Sequence, residues 1–240
     1  MNSQEDTSRS TDIPLGIAAI VAGLGLLIMA LLAPIVEFGV FQNLIAPGDA
    51  KTTAQNIVAS AGSFRMGIFF LLVVAFLDVV VAWALYILLK PVNKSLSLLA
   101  AWFRVVYAAI FAIALNNLFS VLQLLTGVDF LVLAANQLDA QVMLFLSAFR
   151  YGWDIGLVFF GLHLIVLGYL VFRSGYIPRW LGVLLIVAGL GYSTDSFGKF
   201  LLPNYNVTIA MFTFVGEVLL IFWLLWKGVK GFDKELEKRS

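Results

Sequence analysis

The chain has 240 residues, 62% of them hydrophobic and only 12% charged, with a mean hydropathy of +1.00. Soluble domains are roughly 45–50% apolar and ~25% charged, so this composition excludes an ordinary water-soluble domain and a disordered chain. Fifteen Lys and Arg against fourteen Asp and Glu leave a net charge of +1, which gives no electrostatic basis for nucleic-acid binding. The partner implied by composition is the lipid bilayer.

Residues 1–13 form a polar tail carrying Glu5, Asp6 and Asp12. A signal peptide is basic there, so the apolar run that follows is expected to stay in the protein. A helix needs ~20 apolar residues to cross a hydrocarbon core of ~30 Å. Six runs qualify, expected at about 14–41, 64–89, 96–125, 142–172, 178–202 and 207–226. Pro14 suits a first helical turn, Pro34 is placed to kink the first span, and Lys90-Pro91 closes the second. The loops 42–63 and 126–141 are too short for separate domains, and an interfacial helical turn is expected around 130–138. The tail 230–240 alternates charge and reads as a solvated extension of the last helix. The fold class is all-α: one domain of six transmembrane helices over residues 14–229.

Lys and Arg near span ends set orientation. With the N-terminus cytoplasmic, ten lie inside: Arg9, Lys90, Lys94, Arg173, Arg179, Lys227, Lys230, Lys234, Lys238 and Arg239. Lys51 alone lies outside. Both termini are therefore expected inside. The chain has no cysteine, so disulfides, thiolate metal sites and lipidated cysteines are ruled out.

Residues 15–25 (LGIAAIVAGLG) and 181–191 (LGVLLIVAGLG) are identical at eight of eleven positions. Two readings stand: a parallel internal repeat of the kind transporters use, or two helices whose Gly faces permit close packing.

More specific are Lys90-Pro91-Val92-Asn93-Lys94-Ser95 with Ala101-Trp102-Phe103-Arg104, and Gly156-Leu157-Val158-Phe159-Phe160-Gly161-Leu162-His163 leading to Gly168-Tyr169. Arg173-Ser174-Gly175-Tyr176-Ile177-Pro178-Arg179-Trp180-Leu181-Gly182 completes the set. In these segments the chain resembles a bacterial family of six-helix membrane proteins, domain of unknown function 4386. The resemblance implies six helices and a bacterial cell (inner) membrane location. It implies no activity, and no catalytic residue follows from it.

An ionisable residue at mid-bilayer costs at least ~2.5–3.5 kcal/mol and needs a partner or a wet cavity. Ten fall in the spans: Glu37, Arg65, Asp78, Arg104, Arg150, Asp154, His163, Asp195, Lys199 and Glu217. Helices joined by a short turn rise equally from it, so counting gives relative depth. Asp78 and Arg104 are each thirteen residues from Pro91 and are expected level, as a structural ion pair. Glu37 and Arg65 are expected to pair near the outer surface, or to reach into the interface.

Arg150 and Asp154 share one helix face, as do Asp195 and Lys199, and counting brings the four to one depth. Asn116 is level with Arg150 and begins a polar stripe with Ser120 and Gln123. Together these suggest either a polar chamber opening outward, able to bind a small polar ligand, or a satisfied structural network. His163 and Glu217 are expected in one mid-membrane layer, either as a proton-linked pair or as a neutral hydrogen bond.

With one histidine, no cysteine and no His-x-x-x-His spacing, no metal or cofactor site is expected. Ser193, Thr194 and Ser196 have no histidine at their depth, and no catalytic residue is assigned. The function favoured is small-molecule or proton-linked binding or transport through the outward chamber. Six helices are few for a lone transporter, which points to a homo-oligomer for that role. A structural or assembly subunit and an intramembrane enzyme are the alternatives.

Overall fold

The computed structural model describes residues 13–127 and 135–232. Among the described residues there is no strand. Six helices are long and apolar enough to cross a membrane: Leu15–Leu44, Ala61–Leu89, Lys94–Thr126, Gln137–Ser174, Arg179–Leu201 and Ala210–Lys230, called here the first to sixth spans. Each overlaps its expected run, and most differ by a few residues at the ends. The fourth is helical from Ala135. Most of the turn expected around 130–138, the N-terminal tail and most of the C-terminal tail lie outside the described residues.

Successive spans pack side by side in chain order and the sixth returns to the first, so the bundle is a ring. Gly16 at the start of the first span meets Gly228 at the end of the sixth. The start of the first span and the end of the sixth therefore share one face of the ring, the terminal face; the other is the distal face.

Local chemistry explains several helix limits. Asn93 caps the third span, its side chain accepting from Leu96 N at 2.9 Å, which satisfies a first-turn donor. Between the fourth and fifth spans Gly175 adopts a left-handed φ of 72°. The Ser174 hydroxyl there bonds to Val171 O and accepts from Ile177 N. The Tyr176 hydroxyl donates to Leu88 O at 2.5 Å, tying that turn to the second span. Pro34 has no N–H for the Ala30 carbonyl, and the first span continues past it as a π-helical stretch, Ile35–Phe41. The expected kink position is thus a widening of the helix. The sixth span is interrupted at Phe214, between Ala210–Thr213 and Val215–Lys230.

The first loop holds an unforeseen helix, Ala50–Ala59. Asp49 caps it, accepting from Thr52 N at 2.9 Å and the Thr52 hydroxyl at 2.6 Å. Ala54 and Ile57 bury its inner side against the third and fourth spans, covering the distal face there.

The two similar glycine segments do equivalent work. Gly16 and Gly23 lie against Gly228 and Leu225 of the sixth span, while Gly25 meets Val81 of the second. Gly182 and Gly189 lie against Gly168 and Gly161 of the fourth, while Gly191 meets Thr213 of the sixth. A Cβ on Gly189 would stand 2.5 Å from Gly161 O, and one on Gly168 2.6 Å from Gly182 O. These helices touch backbone to backbone, which only glycine allows.

Candidate functional site

The ring encloses a cavity of about 360 Å³ to which all six spans contribute. Its apolar walls come mainly from the first and second spans, including Leu26, Met29, Ala33, Leu71 and Val74. The third and fourth add Tyr107, Phe111, Trp153 and Phe160; the fifth adds Tyr192 and the sixth Phe214 and Ile221. Three charged residues reach it: Asp78, Arg104 and Glu217. Asp78 and Arg104 lie ten or eleven residues from the terminal ends of their helices, roughly 15 Å into the bundle at 1.5 Å per residue.

Asp78 and Arg104 approach to 2.7 Å, with side chains 1% and 2% exposed. The equal count from Pro91 therefore does bring them together. The contact is ionic rather than well directed, since neither Asp78 oxygen receives an aligned hydrogen bond. The guanidinium also stacks over the Phe160 ring, 5.3 Å from its centroid. On its other side Arg104 lies 3.3 Å from His163 Nε2, while His163 Nδ1 lies 2.8 Å from Ala100 O. A guanidinium only donates and a carbonyl only accepts. His163 is therefore the tautomer that donates from Nδ1 to Ala100 and accepts at Nε2 from Arg104.

This corrects the expected His163–Glu217 pair. His163 is buried behind Arg104, away from the cavity lining, because its helix face turns toward the third span. Glu217 lies on the cavity wall one turn after the break at Phe214, with the Tyr192 hydroxyl alongside. Its Oε1 has no hydrogen-bond partner.

Among the described residues, seven buried side-chain nitrogen or oxygen atoms lack a directed hydrogen bond, and six belong to cavity-lining residues. They are both Asp78 carboxylate oxygens, Arg104 Nε and one terminal nitrogen, Trp153 Nε1 and Glu217 Oε1; the seventh is the Ser196 hydroxyl. Native interiors leave few such groups, because each costs about 1–3 kcal/mol unsatisfied. Two of the six, one Asp78 oxygen and one Arg104 terminal nitrogen, face each other in the 2.7 Å ion pair, and all six belong to residues around one cavity.

The expected polar chamber is rearranged. Lys199 pairs with Asp154 at 2.6 Å, joining the fifth span to the fourth. Arg150 pairs with Glu37 at 2.9 Å and lies over the Phe41 ring; Arg65 faces out of the bundle and is not the partner of Glu37. Asp195 turns away from this group. One oxygen accepts from Tyr205 Oη at 2.8 Å and Ile209 N at 3.0 Å, the other from Ala210 N at 2.7 Å. It thus caps the start of the sixth span. The bond to Asp195 pushes the Tyr205 hydroxyl above the ordinary phenol range. Asn116 faces out of the bundle, as does Gln123, and the Ser120 hydroxyl is spent on Asn116 O. These residues do not form one chamber, because their helices turn them in different directions.

Open depressions on the distal side include two with charged residues. One of about 400 Å³ holds Arg150, Asp154 and Lys199; one of about 510 Å³ holds Glu37 and Arg150 among mostly apolar residues. Their charges are already paired, so neither has the unmet bonding capacity of the central cavity. No three His, Asp or Glu side chains cluster as metal ligands among the described residues.

The family model for the domain of unknown function DUF4386 matches residues 21–228, and the chain belongs to that family. An uncharacterised protein of Archaeoglobus fulgidus is 43% identical over 182 residues, spanning 76% of this chain and 89% of the relative. No solved structure matches. Within the matched range Arg104 meets His163, Gly161 meets Gly189, and Tyr176 reaches Leu88 O.

Proposed function

We propose that this DUF4386 protein binds a small molecule in the central cavity, with the ligand's polar group set between Glu217 and the Asp78–Arg104 pair. Glu217 Oε1, Arg104 Nε and Asp78 Oδ2, atoms of the cavity-wall residues that lack a directed hydrogen bond and lie outside the 2.7 Å Asp78–Arg104 contact, carry this reading. A purely structural core would gain by pairing or removing them. The cavity is also of the size that small ligands occupy, apolar with a few convergent polar groups.

Binding needs no second copy, because one chain supplies all six walls. Transport, with a homo-oligomer as its vehicle, extends the same reading: the broken sixth span and the widened first span border the cavity, as interrupted helices do in transporters. The ten-to-one Lys and Arg distribution supports a cytoplasmic terminal face. Location follows as a prokaryotic cytoplasmic membrane, the bacterial inner membrane for a bacterial source. The distal Arg150, Asp154 and Lys199 group supports a secondary role as a vestibule.

Native mass spectrometry of the purified protein tests the reading. The expected result is a small molecule retained by wild type and by Asp154→Asn, and lost from Glu217→Gln. Wild-type protein that carries nothing beyond bulk lipid, across solubilisation conditions that keep it folded, overturns it.

A further inference from the structure

The cavity wall reaches the outside of the bundle at one place. Of its lining residues, Ala30, Pro34 and Phe214 are exposed, and all others are buried or half-buried. The first two lie on the first span and the third on the sixth. These neighbours are locked on the terminal side, where Gly16 meets Gly228 and Gly23 meets Leu225. On the distal half the π-helical stretch after Pro34 and the interruption at Phe214 stand on either side of the gap. Its rim is apolar, and neighbouring Leu31, Ile35 and Val215 also face outward. An opening with such a rim, midway along spanning helices, meets lipid chains rather than water.

The wall chemistry selects the ligand. Arg104 neutralises Asp78, leaving Glu217 as the acidic group without an ion-pair partner in the cavity. The same cavity is lined by Tyr107, Phe111, Trp153, Phe160, Tyr192 and Phe214. A carboxylate in an aromatic-lined cavity suits a positive head, since ring faces attract cations. The remaining apolar wall suits a hydrocarbon or aromatic body.

We propose that the ligand is a membrane-dissolved organic cation, an amine-type head on an apolar body, which enters sideways between the first and sixth spans. This rests on the central cavity being a binding site. It adds the ligand's charge and its route.

The test is binding of radiolabelled tetraphenylphosphonium to the full chain in phosphatidylcholine nanodiscs, with neutral triphenylphosphine oxide and water-confined tetramethylammonium as comparison probes. Saturable binding of tetraphenylphosphonium is expected, at least tenfold weaker in Glu217→Gln and largely kept in Glu217→Asp. Ala30→Trp, a change at an out-facing position, is expected to slow association at least tenfold. Lys51→Gln, at an exposed position of the Ala50–Ala59 helix, is expected to change nothing.

Equal binding of tetraphenylphosphonium by wild type and by folded Glu217→Gln overturns the cationic assignment. So does equal affinity for the neutral probe, and in that case the cavity remains a binding site. Tetramethylammonium binding at a rate indifferent to Ala30→Trp overturns sideways entry. A phospholipid chain held in the gap and undisplaced by the cation overturns the proposal as a whole.

Discussion

Replacing Arg104 by Met is the sharpest perturbation of the site. The guanidinium serves two buried acceptors, Asp78 at 2.7 Å and His163 Nε2 at 3.3 Å. Met preserves length and apolar packing against Phe160 but strands both. Leaving a buried charge without its partner costs about 3–5 kcal/mol, and an orphaned neutral acceptor about 1–3 kcal/mol more. The Asp78→Leu, Arg104→Met double variant removes both charges, and such exchanges run from neutral to stabilising by about 1–4 kcal/mol. It still strands His163, so it should fall near wild type and several kcal/mol above the single variant. Arg104→Lys should recover only part of the loss, because one ammonium cannot span both acceptors as a planar fork does. Reversible unfolding in mixed micelles, measured for all four proteins, gives the comparison. An Arg104→Met variant within 1 kcal/mol of wild type, or a double variant less stable than the single, would refute a coupled buried pair.

Three further outcomes follow from other parts of the fold. Gly189→Ala puts a Cβ against Gly161 O, a backbone atom with nowhere to go; a loss of about 1–3 kcal/mol is expected, read as a lower thermal midpoint, whereas the same change at Gly62, where a Cβ meets open space, should be nearly silent. Asp195→Ala leaves Ile209 N and Ala210 N without their acceptor, at about 1–3 kcal/mol for each buried donor; faster amide exchange should appear at 209 and 210 first. Bonds from the Thr52 hydroxyl and amide hold the Asp49 carboxyl below its ordinary 3.8. A lowered acid pKa stabilises above the unfolded value, and that contribution fades as pH falls through the folded one. Thr52 amide protection should therefore be full at neutral pH and lost under acid, and Asp49→Asn should weaken this pH dependence.

What was legible in the sequence is largely what one dimension encodes. Span number follows from apolar runs, and the Asp78–Arg104 contact follows from equal distances to a tight turn at Pro91. Depth counting also put His163 and Glu217 in the middle layers and Arg150 near Asp154. It could not supply rotation about each helix axis. At 100° per residue, modest errors in helix start change the neighbour faced, so His163 meets Arg104 and Arg150 meets Glu37. Asp195 was misread for a different reason: its partners are Tyr205 and Ile209 of the 202–209 connection, which folds back over the fifth span and has no periodic signal, and Ala210 at the start of the sixth. The Ala50–Ala59 helix did carry a signal, Asp49 three residues before Thr52 at a capping spacing. Its short weakly apolar stretch was outweighed by the long spans. The central cavity is a property of the ring as a whole, and no single segment announces it.

Cysteine accessibility most directly tests whether a reachable cavity lies at the centre of the ring, and the cysteine-free chain needs no background substitutions. Val74 lines the cavity and Leu115 does not, though both are buried in the bundle. With lipid-permeant N-ethylmaleimide on protein in nanodiscs at about pH 9, which raises the thiolate fraction, Val74→Cys should label faster than Leu115→Cys, with Glu217→Cys reacting like Val74→Cys. Equal protection of all three positions in folded protein would contradict the account, because the polar atoms around Asp78, Arg104 and Glu217 would then face a sealed core.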